Sequence, residues 1–194
     1  SRRATLSSPS LQPRGPASTI LTRSEWGKLL GWLPACQRPS ERSLLFRASR
    51  DGWKMTDLHA KCDNMGPTVV VVRAPDDAVF GGYTSVSWGV TGCWKADGGA
   101  FLFAMRGPHA TEPVKLGLKP GQDKDAVCHY GHLLAFGEGH DMRIKEGKCK
   151  SNLGWSFQTP VGVTCDTFGS CPSFFTGTEA EVRLEELEVF AVAR

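Results

Sequence analysis

Residues 68–85 read TVVVVRAPDDAVFGGYTS, and this stretch decides the fold. Thr68 to Arg73 is short and β-branched, which suits a strand better than a helix. Pro75, Asp76 and Asp77 form a turn signal, and AVFGGYTS returns the chain, so the segment predicts a β-hairpin. Upstream the pattern is helical. In TRSEWGKLLGWLP, residues 22–34, Thr22 and Glu25 have capping-box spacing. Trp26, Leu29, Leu30 and Leu33 then fall on one helical face, and Pro34 stops the run. A second helix is expected in KMTDLHAKCDNMG, residues 54–66, with Met55, Leu58, His59 and Cys62 on one stripe and Gly66 as terminator.

Downstream the pattern is that of strands. GGAFLFAM, residues 98–105, places Phe101 and Phe103 on one face and Leu102 on the other. HLLAF and DMRIKEG flank the glycines of LAFGEGHDMRI, residues 134–144. RLEELEVFAV, residues 183–192, ends in alternation of Leu187, Val189 and Ala191 with Glu188, Phe190 and Val192. DTFGS and SFFTG read as loops. Helices followed by many strands predict an α+β fold, an antiparallel β-sandwich flanked by helices.

Composition narrows the classes. The chain has 194 residues, 40% hydrophobic and 22% charged, within the range of globular domains. Residues 1–18 are rich in Ser, Pro and Arg and read as a flexible basic tail or linker, leaving 19–194 as the domain. Removing Arg2, Arg3 and Arg14 from the 23 Lys and Arg leaves 20, against 20 Asp and Glu, from position 19 onward. A body without net charge is not that of a nucleic-acid binder. No apolar run is long enough to insert into a membrane. The seven cysteines are odd in number and lack C-x-x-C spacing, which predicts free thiols and a cytoplasmic location. Cys165 and Cys171 are the pair to watch in an oxidising compartment.

The ordered set of motifs resembles the TLDc domain family. ILT with a helix ending WLP, then SLLFRASRDGW and LHAKC, is similar to the opening of such a domain. AVFGGYTS, AFLFAM, LAFGEGHDMRI, DTFGS and LEELEVFAV follow in the family's order. The resemblance covers about residues 19–194 and implies a β-sandwich flanked by helices. It also implies a role in oxidative-stress protection and binding to the vacuolar proton-pumping ATPase, with no common catalytic chemistry. The chain departs from the family at Arg42, where Trp is frequent, at Glu138 and His140, where glycines dominate, and in a longer insertion, KCKSNLGWSFQTPVGVT.

Candidate sites follow from residue type. Glu138 lies between Gly137 and Gly139, and His140 and Asp141 follow them, at an expected hairpin tip where both glycines suit the positive φ of tight turns. A phosphate cradle would need a helix after the glycines. A metal site would draw on Cys128, His129, His132, Glu138, His140 and Asp141, whose spacing fits no common zinc motif. The tip therefore reads as a turn or a loop that contacts a partner. Trp88 and Trp94, in SVSWGVTGCW, are the other candidate anchors, with core packing as the alternative. Ser49, His59 and Asp51 offer hydrolase residue types without a nucleophile elbow. Cys93, close to Lys95, is the best candidate for a reactive thiol. Glu181, Glu185, Glu186 and Glu188 are expected on an acidic, solvated edge strand. The reading is a non-catalytic protein-interaction or regulatory module with no cofactor and no metal. Its partner-binding residues are Trp88, Trp94, Gly137, Glu138, Gly139, His140 and Asp141. The alternatives are a small redox or hydrolytic enzyme, and a regulatory module of a larger protein.

Overall fold

A computed structural model describes residues 17–37, 39–40, 43–163, 165–166, 169–171 and 174–192. The expectation placed on Arg42, and most of the expected tail, lie outside the described residues.

Helix α1 (Arg23–Trp32) opens with the capping box, Thr22 and Glu25 each bonding the other's backbone N–H. Strand β1 (Leu44–Arg47) leads into a one-turn helix α2 (Ala48–Asp51) and then into α3 (Met55–Cys62). The buried face of α3 is Met55, Leu58, His59 and Cys62, as expected, but the helix stops at Cys62 because Asp63 is already extended. Gly66 does not end it. The strands follow as β2 (Thr68–Arg73), β3 (Val79–Thr84), β4 (Trp94–Lys95), β5 (Phe101–Arg106) and β6 (Val114–Gly117). The remainder are β7 (Val127–Cys128), β8 (Leu134–Phe136), β9 (Met142–Lys145), β10 (Lys148–Lys150), β11 (Val182–Arg183) and β12 (Glu186–Ala191).

Two antiparallel sheets result, each of six strands, ordered β1-β12-β2-β3-β5-β6 and β11-β10-β9-β8-β7-β4. The β2–β3 hairpin turns through Pro75, Asp76 and Asp77, with Asp76 and Asp77 both left-handed at φ 58° and 54° and the Ala78 N–H donating to the Pro75 carbonyl. Strand β2 lacks alternation because both of its faces are covered. Val70 and Val72 meet Phe136, Met142 and Ile144 of the second sheet, whereas Val69 and Val71 join Trp26, Leu29 and Leu30 of α1. Phe101 and Phe103 face the helix layer and Leu102 the sandwich core.

Two expectations are corrected. Strand β12 is not an edge, since it lies between β1 and β2, and Glu186 and Glu188 are buried on it. Their charge is met internally: Glu188 pairs with Arg47 at 2.7 Å, and Glu186 accepts from the Ser49 hydroxyl. The thiols are not all free, because Cys165 and Cys171 form a disulfide. Between them the Gly169 N–H donates to the Asp166 carbonyl and the Ser170 N–H to the Asp166 carboxylate. Cys36, Cys62, Cys93, Cys128 and Cys149 are free. Among the described residues no helix is long and apolar enough to cross a membrane.

Candidate functional site

The candidate surface is built around the tip of the β8–β9 hairpin. Phe136 pairs with Met142, and residues 137–141 close the turn. Gly137 takes φ 77°, and a Cβ there would also collide with the Asp141 carboxylate. His140, at φ 58°, donates its N–H to the Gly137 carbonyl at 2.8 Å. Gly139 is needed for space rather than for conformation, because the Trp155 indole lies directly over it.

Asp141 is fully buried and is the foundation of the site. Its carboxylate accepts the N–H groups of Gly154, Trp155, Ser156 and Phe157 at 2.9 to 3.1 Å. Burial raises its pKa, and the four amides pull against that rise. Its carbonyl accepts from the Ser151 hydroxyl, whose oxygen in turn accepts the Leu153 N–H. This buried aspartate thereby moulds the irregular segment 151–157 against the hairpin. Ser156 and Asn152 complete the seam. The Glu138 N–H donates to Ser156 Oγ, and Asn152 Nδ2 donates to the Gly139 carbonyl. Lys119 Nζ bonds the Gly154 carbonyl.

What this scaffold displays is aromatic. Trp155 is 60% exposed although both of its neighbours are bonded to buried groups. Trp94 is half-buried, its ring 5.8 Å from that of His140. Trp94, His140, Gly139 and Trp155 thus form a continuous strip, with exposed Glu138 beside it. Burial also lowers the His140 pKa, favouring an uncharged ring in the strip.

The expected site residues divide. Trp94, Glu138, Gly139 and His140 come together at the surface, with Gly137 beneath them. Trp88 and Asp141 do not reach it. Trp88 is 1% exposed, donates from Nε1 to Thr68 Oγ1 at 2.8 Å and packs edge-on against Phe136. Both support the strip from inside. Trp155 was missed by sequence reasoning, although a tryptophan in a glycine-flanked insertion was a usable signal.

The other candidates are dispersed. Ser49 Oγ donates to Glu186, His59 Nδ1 pairs with Asp63, and Asp51 is taken up by Arg50 and Lys61. The Arg50 guanidinium holds the Asp51 carboxyl at about 2. These three are therefore not assembled as a triad. Burial pushes the Cys62, Cys128 and Cys149 thiols up to about 12, 11 and 12, which opposes thiolate chemistry. Cys93 is exposed and 3.2 Å from the Thr91 hydroxyl. Among the described residues, no three His, Cys, Asp or Glu side chains stand where they could hold a metal.

Comparison with known proteins agrees with the architecture. A sequence model of the TLDc domain matches residues 16–193. The chain is 36% identical over 62 residues to the MTOR-associated protein MEAK7 of Danio rerio, which is 32% of this chain and 14% of that protein. It is 37% identical over 62 residues to the MTOR-associated protein MEAK7 of Gallus gallus, again 32% of this chain and 13% of that protein. The matched stretch is a small part of either relative's length. The match over nearly the whole sequence, together with the two antiparallel sheets, makes this chain a member of the TLDc domain family.

Proposed function

We propose that this domain is a non-catalytic protein-interaction and regulatory module that docks through the strip Trp94, His140, Gly139 and Trp155. The observation that carries the reading is an indole 60% exposed on a segment whose backbone is fixed from within by a buried carboxylate. A rigid aromatic anchor loses little conformational entropy on binding, which is why tryptophan is enriched at the centres of interfaces. Trp88 and Asp141 serve the same surface as its internal support. The module acts as a regulatory part of a larger protein, in a cytoplasmic setting.

Family membership supports the vacuolar proton-pumping ATPase as the partner and oxidative-stress protection as the wider role. The relatives' printed name, MTOR-associated protein, supports a regulatory protein complex as the context. The test is direct binding of the purified chain to the cytoplasmic sector of the vacuolar ATPase. Wild type should bind, and Trp155→Ala or Glu138→Lys should weaken it without unfolding the domain. Equal binding by wild type and Trp155→Ala would remove this surface from the interface. Turnover of peroxide by the purified chain, abolished by Cys93→Ser, would replace the docking reading with an enzymatic one.

A further inference from the structure

We propose that the outward face of strands β9, β10 and β11 is a binding site for an anionic lipid surface, to which the domain adsorbs by charge and without insertion. The proposal stands apart from the docking reading above and does not rest on it.

The β9–β10 hairpin reads MRIKEGKCK, residues 142–150. Its two strands alternate strictly. Met142, Ile144 and Cys149 are each 0% exposed and belong to the sandwich core. The four residues on the opposite face, Arg143, Lys145, Lys148 and Lys150, are all basic. Glu146, at φ 46°, and Gly147, at φ 71°, form the two-residue turn that fixes the register. That register sets cations side by side. Arg143 is opposite Lys150, and Lys145 is opposite Lys148, which is in turn opposite Arg183 of β11. Side chains opposed in this way start roughly 5 Å apart. Five cations thus stand in two rows on one sheet face, and Lys145, Lys148, Lys150 and Arg183 are exposed.

Folding alone does not ask for this arrangement, because like charges directly opposite each other weaken a sheet. Composition does not impose it either, since basic and acidic residues balance from position 19 onward. Lysines that guard a sheet edge explain Arg183 at most, because β10 and β9 lie inside the edge strand β11. Two carboxylates stand beside the rows. Glu181 is 3.4 Å from both Arg143 and Lys148, and Glu146 accepts the Met55 N–H. Five cations less these two acids leave an excess of three positive charges. Among the described residues, Lys145, Lys150 and Arg183 are in no ion pair.

The chemistry of the rows selects the ligand. Three of the five cations are lysines, whose ammonium groups hold water strongly and are depleted from protein interfaces, where water is expelled. The rows contain no aromatic side chain on which the bases of a single-stranded nucleic acid would stack. A double-stranded nucleic acid calls for a basic surface wider than this charge-balanced body offers. An anionic bilayer makes neither demand. Its headgroups move laterally to match a two-dimensional array, the ammonium groups keep their water, and each Lys or Arg held near the surface adds to the attraction.

Co-sedimentation of the whole 194-residue chain tests this, with vesicles of equal parts phosphatidylcholine and phosphatidylserine beside vesicles of phosphatidylcholine alone. The chain should bind the anionic vesicles, come off them as salt is raised, and ignore the neutral ones. Lys145→Gln, Lys148→Gln and Lys150→Gln together should weaken binding on the order of a hundredfold. The same three lysines changed to arginine should retain it. The glutamine variant should melt no lower than wild type, because it relieves opposed like charges, so its loss of binding is not unfolding. Arg2→Gln, Arg3→Gln and Arg14→Gln together should leave vesicle binding in place. Equal binding to both kinds of vesicle would overturn the proposal, as would undiminished binding by the glutamine variant or a loss confined to the variant of Arg2, Arg3 and Arg14. Binding to polyglutamate that the glutamine variant loses, with none to the anionic vesicles, would overturn the lipid surface and assign the face to an acidic protein segment.

Discussion

Arg47 and Glu188 meet at 2.7 Å where β1 lies beside β12, and the Glu188 side chain is wholly withdrawn from water. Glu188 also accepts from the Ser18 hydroxyl at 2.6 Å and from the Thr19 N–H and hydroxyl at 3.0 Å. Arg47 reaches further, to the Ala17 carbonyl. One carboxylate thus ties the segment before α1 to the last strand. Glu188→Ala would strand a mostly buried guanidinium and three other donors, and should cost on the order of 3 kcal/mol in urea unfolding. Glu188→Gln keeps the shape and part of the bonding, so its loss should be clearly smaller. Equal losses would mean that packing, not charge, gives Glu188 its place.

The β8–β9 turn makes a conformational demand. Gly137→Val would force a β-branched residue to φ 77° and drive its Cβ into Asp141. Strain alone accounts for about 1–3 kcal/mol, and disturbing Asp141 adds to it. Replacing Glu138 with alanine should leave the melting temperature nearly unchanged, because that side chain is exposed and its structural bond is made by the backbone. A Gly137→Val protein as stable as wild type would show that the turn relaxes without penalty.

His129 predicts a pH dependence. The ring is 4% exposed, packs against Trp88, and among the described residues neither ring nitrogen has a hydrogen-bond partner. The charged and titratable groups facing it are His59 and Asp63 from the end of α3 and Lys95 from β4. Burial first, and Lys95 second, lower its pKa below the ordinary 6.5. The folded state therefore binds fewer protons than the unfolded one in that window. Stability is full above the unfolded value and is lost as pH falls through 6.5 toward the lowered folded value. His129 supplies a slope of at most about 1.4 kcal/mol per pH unit. His129→Leu should remove this part of the slope in denaturant titrations at different pH, while the lowered His140 retains its own share. An unchanged slope would mean that the ring is solvated in solution.

Legibility in the sequence tracked distance along the chain. The α1 capping box spans three residues, and the β2–β3 turn is contained in PDD, so both could be read. The alternation in β12 correctly separated Leu187 and Val189 from Phe190 and Val192. Its place in the sheet could not be read, because Arg47, which neutralises Glu188, and Ser18, which hydrogen-bonds it, lie 141 and 170 residues away. Four glutamates close together look like a solvated edge when their cations are out of sight. The hairpin tip is legible in its glycines, but the burial of Asp141 is not, because its amides arrive 13 to 16 residues later, from the insertion. Trp88 and Trp94 share one loop signature, and only tertiary packing made one a core residue and the other part of a surface.

That distinction gives the sharpest test of the candidate surface. Trp88, Trp94 and Trp155 differ in burial, so truncating each should have a different consequence. Trp88→Ala removes a fully buried indole packed on Phe136 and orphans Thr68, so it should cost about 3–5 kcal/mol and damage the whole domain. Trp155→Ala exposes no core, and its N–H on Asp141 belongs to the backbone and survives the change. It should change stability by less than about 1 kcal/mol while weakening partner binding at least about thirtyfold, the loss expected for an interface hot spot. Trp94→Ala, half-buried against His140, should fall between them on both scales. Calorimetric binding paired with urea unfolding on the three variants separates the two effects. Binding that falls only in proportion to stability would mean that the strip is structural and that the partner docks elsewhere.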